Sequence, residues 1–102
     1  MNNKEYEVLV VVDIKNLEDK NSFDKYLRRE GLEEVDGEKF AYKGTSSTPI
    51  FNTRAFIYDV MKKALQRGKY FDECKMIIQF GETRLETYKY DKDDCVFKEI
   101  NI

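Results

Sequence analysis

Two periodicities alternate along this chain, one near two residues and one near 3.6. Residues 6 to 14 read Tyr-Glu-Val-Leu-Val-Val-Val-Asp-Ile, with five consecutive aliphatic residues from Val8 to Val12. Such a run predicts a strand buried on both faces, ended by Asp13. A polar turn, Lys15 to Asn21, leads into a short helix with Phe23, Tyr26 and Leu27 on one face. Asn21 or Ser22 is the expected N-cap, and Gly31 suits the left-handed position after the helix, with Leu32 folding back on Leu27. Strands are expected at 32–35 and 39–43, joined in a tight hairpin by Asp36-Gly37. Phe40 and Tyr42 then share one face of the second of these, and Ala41 and Lys43 the other. A loop of small residues follows, Gly44 to Pro49.

The second helix has the clearest period. Phe56, Ile57, Val60, Met61, Ala64 and Leu65 form one continuous apolar stripe, with Asn52 or Thr53 as N-cap and Gly68 as terminator. A further strand spans 74–80 with Met76, Ile77 and Ile78 buried. The order β-α-β-β-α-β predicts an α+β, ferredoxin-like fold: an antiparallel sheet, two helices on one face, and the first and last of the four strands as neighbours. A different α+β sandwich of the same elements is the alternative. Residues 81–102 are expected to extend this single domain. Thr83 to Tyr90 is strand-like, with Tyr88 and Tyr90 on one face. Cys95 to Ile102 alternates with Val96, Ile100 and Ile102 on one side. The pair would form a hairpin around Asp91-Lys92-Asp93-Asp94, or the last strand would add to a neighbouring molecule's sheet.

Composition narrows the chemistry. The 102 residues suit one core, although a domain of this size is expected to be marginally stable unless it dimerises. Charged residues make up 37%, yet the net charge is −2, against a constitutive nucleic-acid coat protein but not against a local basic patch. No histidine is present, which removes imidazole bases, and Cys74 and Cys95 lack the spacing of a zinc site. Reduced thiols, a polar start at Met1 to Glu5 and no apolar run near the ~20 residues of a membrane span predict a cytoplasmic chain without a signal peptide.

Asp13 is the first candidate for chemistry. At the carboxyl end of the most apolar strand, a carboxylate is either a ligand for a divalent cation beside a phosphodiester or a cap for the following turn. A second candidate is the cationic second helix and its exit. Between 54 and 69, Arg54, Lys62, Lys63, Arg67 and Lys69 stand against Asp59 alone. They form a nucleic-acid or anion-binding surface or an ordinary solvated helix face. Weaker signals admit similar pairs of readings. The loop 44–49 is an anion loop or a connector, without the ending of a phosphate loop. Asp91, Asp93 and Asp94 open like a calcium loop but lack its later glycine and glutamate, so a polar turn fits better. Tyr88 and Tyr90 would stack bases if exposed, or pack the sheet if not.

The pattern Tyr6-x-Val8-x-Val10-Val11-Val12-Asp13-Ile14, then Lys25-Tyr26-Leu27-x-x-x-Gly31-Leu32-Glu33-x-Val35 and Phe40-Ala41-Tyr42-Lys43-Gly44, resembles two related families. These are the small subunit of the CRISPR spacer-acquisition complex and the virulence-associated protein D ribonuclease toxins. The resemblance covers about residues 6 to 44. It implies a homodimer with two copies of Asp13 facing each other, a divalent Mg²⁺ or Mn²⁺ between them, and endonuclease activity on RNA rather than DNA, or membership of a nucleic-acid-linked complex. Against it stand the lack of an arginine-rich helix start and an acidic hairpin, Glu33, Glu34, Asp36 and Glu38. The alternative function is a non-catalytic module, such as an antitoxin, adaptor or regulator, that binds a protein partner by strand pairing.

Overall fold

A computed structural model describes residues 4–100, so the N-terminal Met1–Asn3 and the expected inward Ile102 lie outside the described part. Eight elements follow in chain order: β1 (Tyr6–Asp13), α1 (Lys20–Arg29), β2 (Glu33–Glu34), β3 (Ala41–Ser46), α2 (Ile50–Arg67), β4 (Lys75–Phe80), β5 (Glu86–Asp91) and β6 (Val96–Glu99). One sheet is ordered β2-β3-β1-β4-β5-β6, and every neighbouring pair is antiparallel. The first four strands have the ferredoxin-like order, and β5 and β6 widen the sheet beyond β4. The C-terminal residues form the expected hairpin, in which Tyr88 pairs with Glu99 and Tyr90 with Phe97.

One face of the sheet is sealed. Val8, Val10 and Val12 of β1, Tyr42 of β3, Met76, Ile78 and Phe80 of β4, and Tyr88 and Tyr90 of β5 form a single core with Phe23 and Leu27 of α1 and Ile57, Val60, Met61, Ala64 and Leu65 of α2. Each fully buried aliphatic side chain of this kind contributes roughly 1.5–3 kcal/mol. Phe23 sits edge-on to both Phe40 and Tyr42, with ring centroids 6.4 and 5.9 Å away. The other face carries no helix. The expectation that β1 is buried on both sides is therefore corrected: Leu9 is 38% exposed and Val11 37%, and Asp13 follows them on the same open face. Continuous aliphatic sequence marks burial on both faces only where helices cover both, and here both helices lie on one side.

Local punctuation differs from expectation in several places. α1 is capped by Asp19, two or three residues earlier than Asn21 or Ser22, its carboxylate accepting from the Ser22 amide at 3.1 Å. Its end is as predicted: Gly31 lies at φ +98° while the Leu32 amide bonds the Leu27 carbonyl at 2.8 Å. The Asp36-Gly37 turn exists, but Phe40 adopts φ +62° and strand pairing resumes only at Ala41, so the connection is wider than a two-residue hairpin. Gly44, Thr45 and Ser46 belong to β3, not to a loop. A side chain at Gly44 would lie 2.6 Å from the Gly31 carbonyl oxygen, so glycine lets α1's exit pack on the sheet. α2 begins after Pro49 with no side-chain cap, and Thr53 lies buried inside it. Phe56 is 46% exposed at the margin of its stripe, and in β6 Phe97, not Val96, turns toward the core.

Candidate functional site

Asp13 ends β1 on the open face, and the register places Lys75 of β4 directly across from it. Lys75 in turn faces Lys89 of β5, and Lys89 faces Lys98 of β6. One row across four strands therefore reads Asp, Lys, Lys, Lys. Directly opposed side chains in such a row stand roughly 5 Å apart at Cβ, where like charges repel. Lys98 is neutralised by Asp91 and Asp94, both at 2.8 Å, and Lys89 has one long contact, 3.6 Å, to Glu73. Lys75 has no ion pair among the described residues.

Asp13 forms one wall of an open cleft of about 860 Å³ at this end of the sheet. The turn after β1 contributes Lys15 and Asn16, the exit of α2 contributes Lys69 to Glu73, and Lys92 enters from the β5–β6 turn. Five lysines (15, 69, 75, 89 and 92) thus surround three carboxylates, Asp13, Asp72 and Glu73. Lys92 and Asp72 are 3.6 Å apart, whereas Lys15, Lys69 and Lys75 make no ion pair among the described residues. Lys69 gets there by local backbone geometry. α2 ends at Gly68, Lys69 takes the left-handed φ of +60°, and the Tyr70 amide returns to the Leu65 carbonyl at 2.9 Å. Gly68 itself is needed for contact, because a β-carbon there would lie 2.8 Å from Leu17 and 3.2 Å from Phe23. Behind the cleft, Cys74 is buried, and burial followed by the charge of Asp13 pushes its thiol up to about 12.

The other cations predicted for an anion surface disperse. Arg54 turns into the helix–sheet seam, where its Nε and Nη2 bond the two oxygens of Glu86 at 2.8 and 2.7 Å. Lys63 pairs with Asp59 along the helix at 2.9 Å, and the Arg67 guanidinium stacks 5.1 Å over Tyr26. Lys62 borders a separate shallow groove beside Tyr58 and Phe97. Only Lys69 joins Asp13.

The weaker candidates resolve into structure. Ser46 and Thr48 bond Thr53, at 2.7 and 2.8 Å, and Thr53 bonds Tyr6 at 2.7 Å, so the hydroxyls near the start of α2 are engaged with one another. Asp91 accepts from the amides of Asp93 and Asp94 at 3.0 and 3.3 Å, forming the polar turn. Tyr88 and Tyr90 face the helices and are buried, closed to any base. Among the described residues, no three carboxylates or thiols are grouped as one chain would need to hold a metal. No described helix is long and apolar enough to cross a membrane.

Lys15, Lys75, Lys89 and Lys92 went unrecognised as site residues in the sequence. Lys75 and Lys89 sit at outward positions of alternating strands, but which cation faces which depends on the register. Compared with family models, with curated proteins and with solved structures, the chain matches none.

Proposed function

We propose that this chain is a nucleic-acid-associated protein whose working surface is the cleft around Asp13. The observation that carries the reading is the ring of five lysines about that carboxylate, three of them without an ion pair among the described residues. Keeping like charges together in this way costs stability unless a polyanion neutralises them. The net charge of −2 hides this patch, where five lysines stand against three carboxylates and most of the chain's acidic residues lie elsewhere.

The resemblance of residues 6–44 to the two nuclease-linked families assigns the chemistry in this proposal. With one Asp13 per chain, a divalent cation would be held between two copies, so cleavage of RNA requires the homodimer whereas binding does not. Strand pairing with a protein partner has less support. β2 has two residues, and β6 has four, bearing Lys98 and Glu99; short charged edges resist pairing.

The test is light scattering together with RNA cleavage in Mg²⁺, Mn²⁺ or chelator, comparing wild type with Asp13→Asn. Metal-dependent cleavage by a dimer, lost in the variant, supports the full reading. Absence of cleavage, with RNA bound more tightly by Asp13→Asn because a negative charge has left the lysine ring, leaves a non-catalytic nucleic-acid subunit. A protein that neither binds nor cleaves RNA overturns the proposal.

A further inference from the structure

The cleft holds one group that electrostatics does not explain. Phe71 lines it and is 73% exposed. A phenyl ring in water gives up about 1.5–3 kcal/mol of available burial, yet the segment that carries it is pinned on both sides. The Tyr70 amide bonds the Leu65 carbonyl at 2.9 Å, and the Tyr70 hydroxyl donates to the Glu73 carbonyl at 2.6 Å. The Glu73 amide donates to Asp72 Oδ1 at 2.8 Å. Asp72 and Glu73 also lie 3.6 Å from Lys92 and Lys89, exposed contacts that add little to the backbone bonds. The ring is thus displayed by a braced turn, beside Lys69, Lys75 and Lys89.

We infer that the ligand of this cleft is a single-stranded nucleic acid, with one unpaired base stacked on Phe71 and the adjoining phosphates on Lys75 and Lys89. An exposed aromatic face next to a line of cations is the pairing that single strands require, since every base has a π-face and the backbone follows the charges. A duplex presents phosphates but keeps its base faces inside the stack, so it would engage the lysines and leave Phe71 idle. The chemistry is common to RNA and DNA.

This inference rests on the proposed polyanion cleft, and the experiment separates the two. Fluorescence anisotropy would use a labelled oligouridylate of roughly 10 nucleotides, the oligothymidylate of equal length, a duplex of equal length and inorganic polyphosphate as a base-free competitor. Proteins compared are wild type, Phe71→Ala, Phe71→Tyr and the double variant Lys75→Gln/Lys89→Gln. Wild type should bind both single strands better than duplex or polyphosphate. Phe71→Ala should lose about 5- to 150-fold on single strands, keep its affinity for polyphosphate, and be rescued by Phe71→Tyr. The lysine variant should weaken every polyanion and flatten the salt slope on single strands by about 1.4. Equal binding of oligomer, duplex and polyphosphate, untouched by Phe71→Ala, would overturn the single-strand inference and leave the polyanion cleft standing. If nothing binds, both fall. Circular dichroism of each variant separates lost contacts from lost fold.

Discussion

Two charged clusters border the same sheet, and they treat their cations in opposite ways. Between α2 and β5, Arg54 places its guanidinium fork on Glu86, and the Tyr88 hydroxyl donates to the same carboxylate. The guanidinium also sits 5.4 Å from the Phe80 ring centroid. That cluster is closed, and among the described residues no buried side-chain polar atom lacks a partner. At the end of β1, by contrast, lysines gather with more positive charge than the local carboxylates can match. A cation satisfied from within is part of the fold, and one left unsatisfied in a cleft is available to a ligand. Arg54 and Lys75 differ in this respect and not in residue class.

The largest expected effect tests the closed cluster. Arg54→Ala would leave Glu86, whose side chain is 10% exposed, without its cation. Breaking a buried pair costs roughly 3–5 kcal/mol, and because Arg54 is itself 29% exposed the loss should fall at the lower end. Urea unfolding measures it. Arg54→Lys should recover only part, since a point charge cannot reproduce the two-pronged bond. If Arg54→Ala keeps its stability but loses RNA binding, the division between the two clusters is wrong.

Acid sharpens the same point. Bonding from Arg54, more than any other influence, holds Glu86 below the ordinary carboxylate value of 4.5. A carboxylate with a lowered folded pKa contributes stability above its unfolded pKa, and that contribution disappears as pH falls through the folded one. Wild type should therefore lose stability below about pH 4.5 through this group. In Arg54→Ala the burial of Glu86 is opposed only by the Tyr88 hydroxyl and the charge of Arg84, so this part of the acid dependence should shrink. A pH series of urea midpoints for both proteins gives the comparison directly.

The smaller effect belongs to the open cluster. Removing the opposed pair in Lys75→Gln/Lys89→Gln should change stability by no more than a few tenths of a kcal/mol, because relief of the like charges offsets the lost 3.6 Å contact of Lys89 with Glu73 and the lost charge opposite Asp13. Ligand binding should fall at the same time. A variant that binds less while folding at least as well identifies a functional surface. A marked loss of stability would instead make these lysines structural.

The sheet was legible in the sequence because its signals are local. The α2 stripe from Ile57 to Leu65, the Gly31 exit of α1 and the alternation in β5 each follow from residues close in the chain, and together they define the strand order. What was illegible depended on contacts distant in sequence. Val8 to Val12 reads as doubly buried, but whether Leu9 and Val11 are covered depends on where both helices dock. Asp13 stood out because a carboxylate ends an aliphatic run. Its neighbours Lys75 and Lys89 come from strands more than 60 residues away and meet it only through the register. The cations of α2 and its exit stood out because Asp59 alone offsets them between 54 and 69, yet Arg54 was claimed by Glu86, 32 residues on. Phe71 carried no signal in the sequence, and its exposure follows from the fold.

The two cysteines give the finest test, because one lies behind the open cleft. Cys95 is exposed, whereas Cys74 is 5% exposed and, mainly through burial, holds its proton up to about 12. The nucleophile is the thiolate, so at pH 8 a thiol reagent should modify Cys95 quickly and Cys74 only when the structure opens. Asp13 raises the Cys74 pKa less than burial does, so Asp13→Asn should speed the slow phase only slightly. Urea should speed it greatly, and a bound oligonucleotide should slow it by holding Phe71 and its turn over the cleft. If the slow phase ignores the oligonucleotide while Cys95 still reacts first, the strand binds without closing down on that turn, and the braced Phe71 loop does not respond to it.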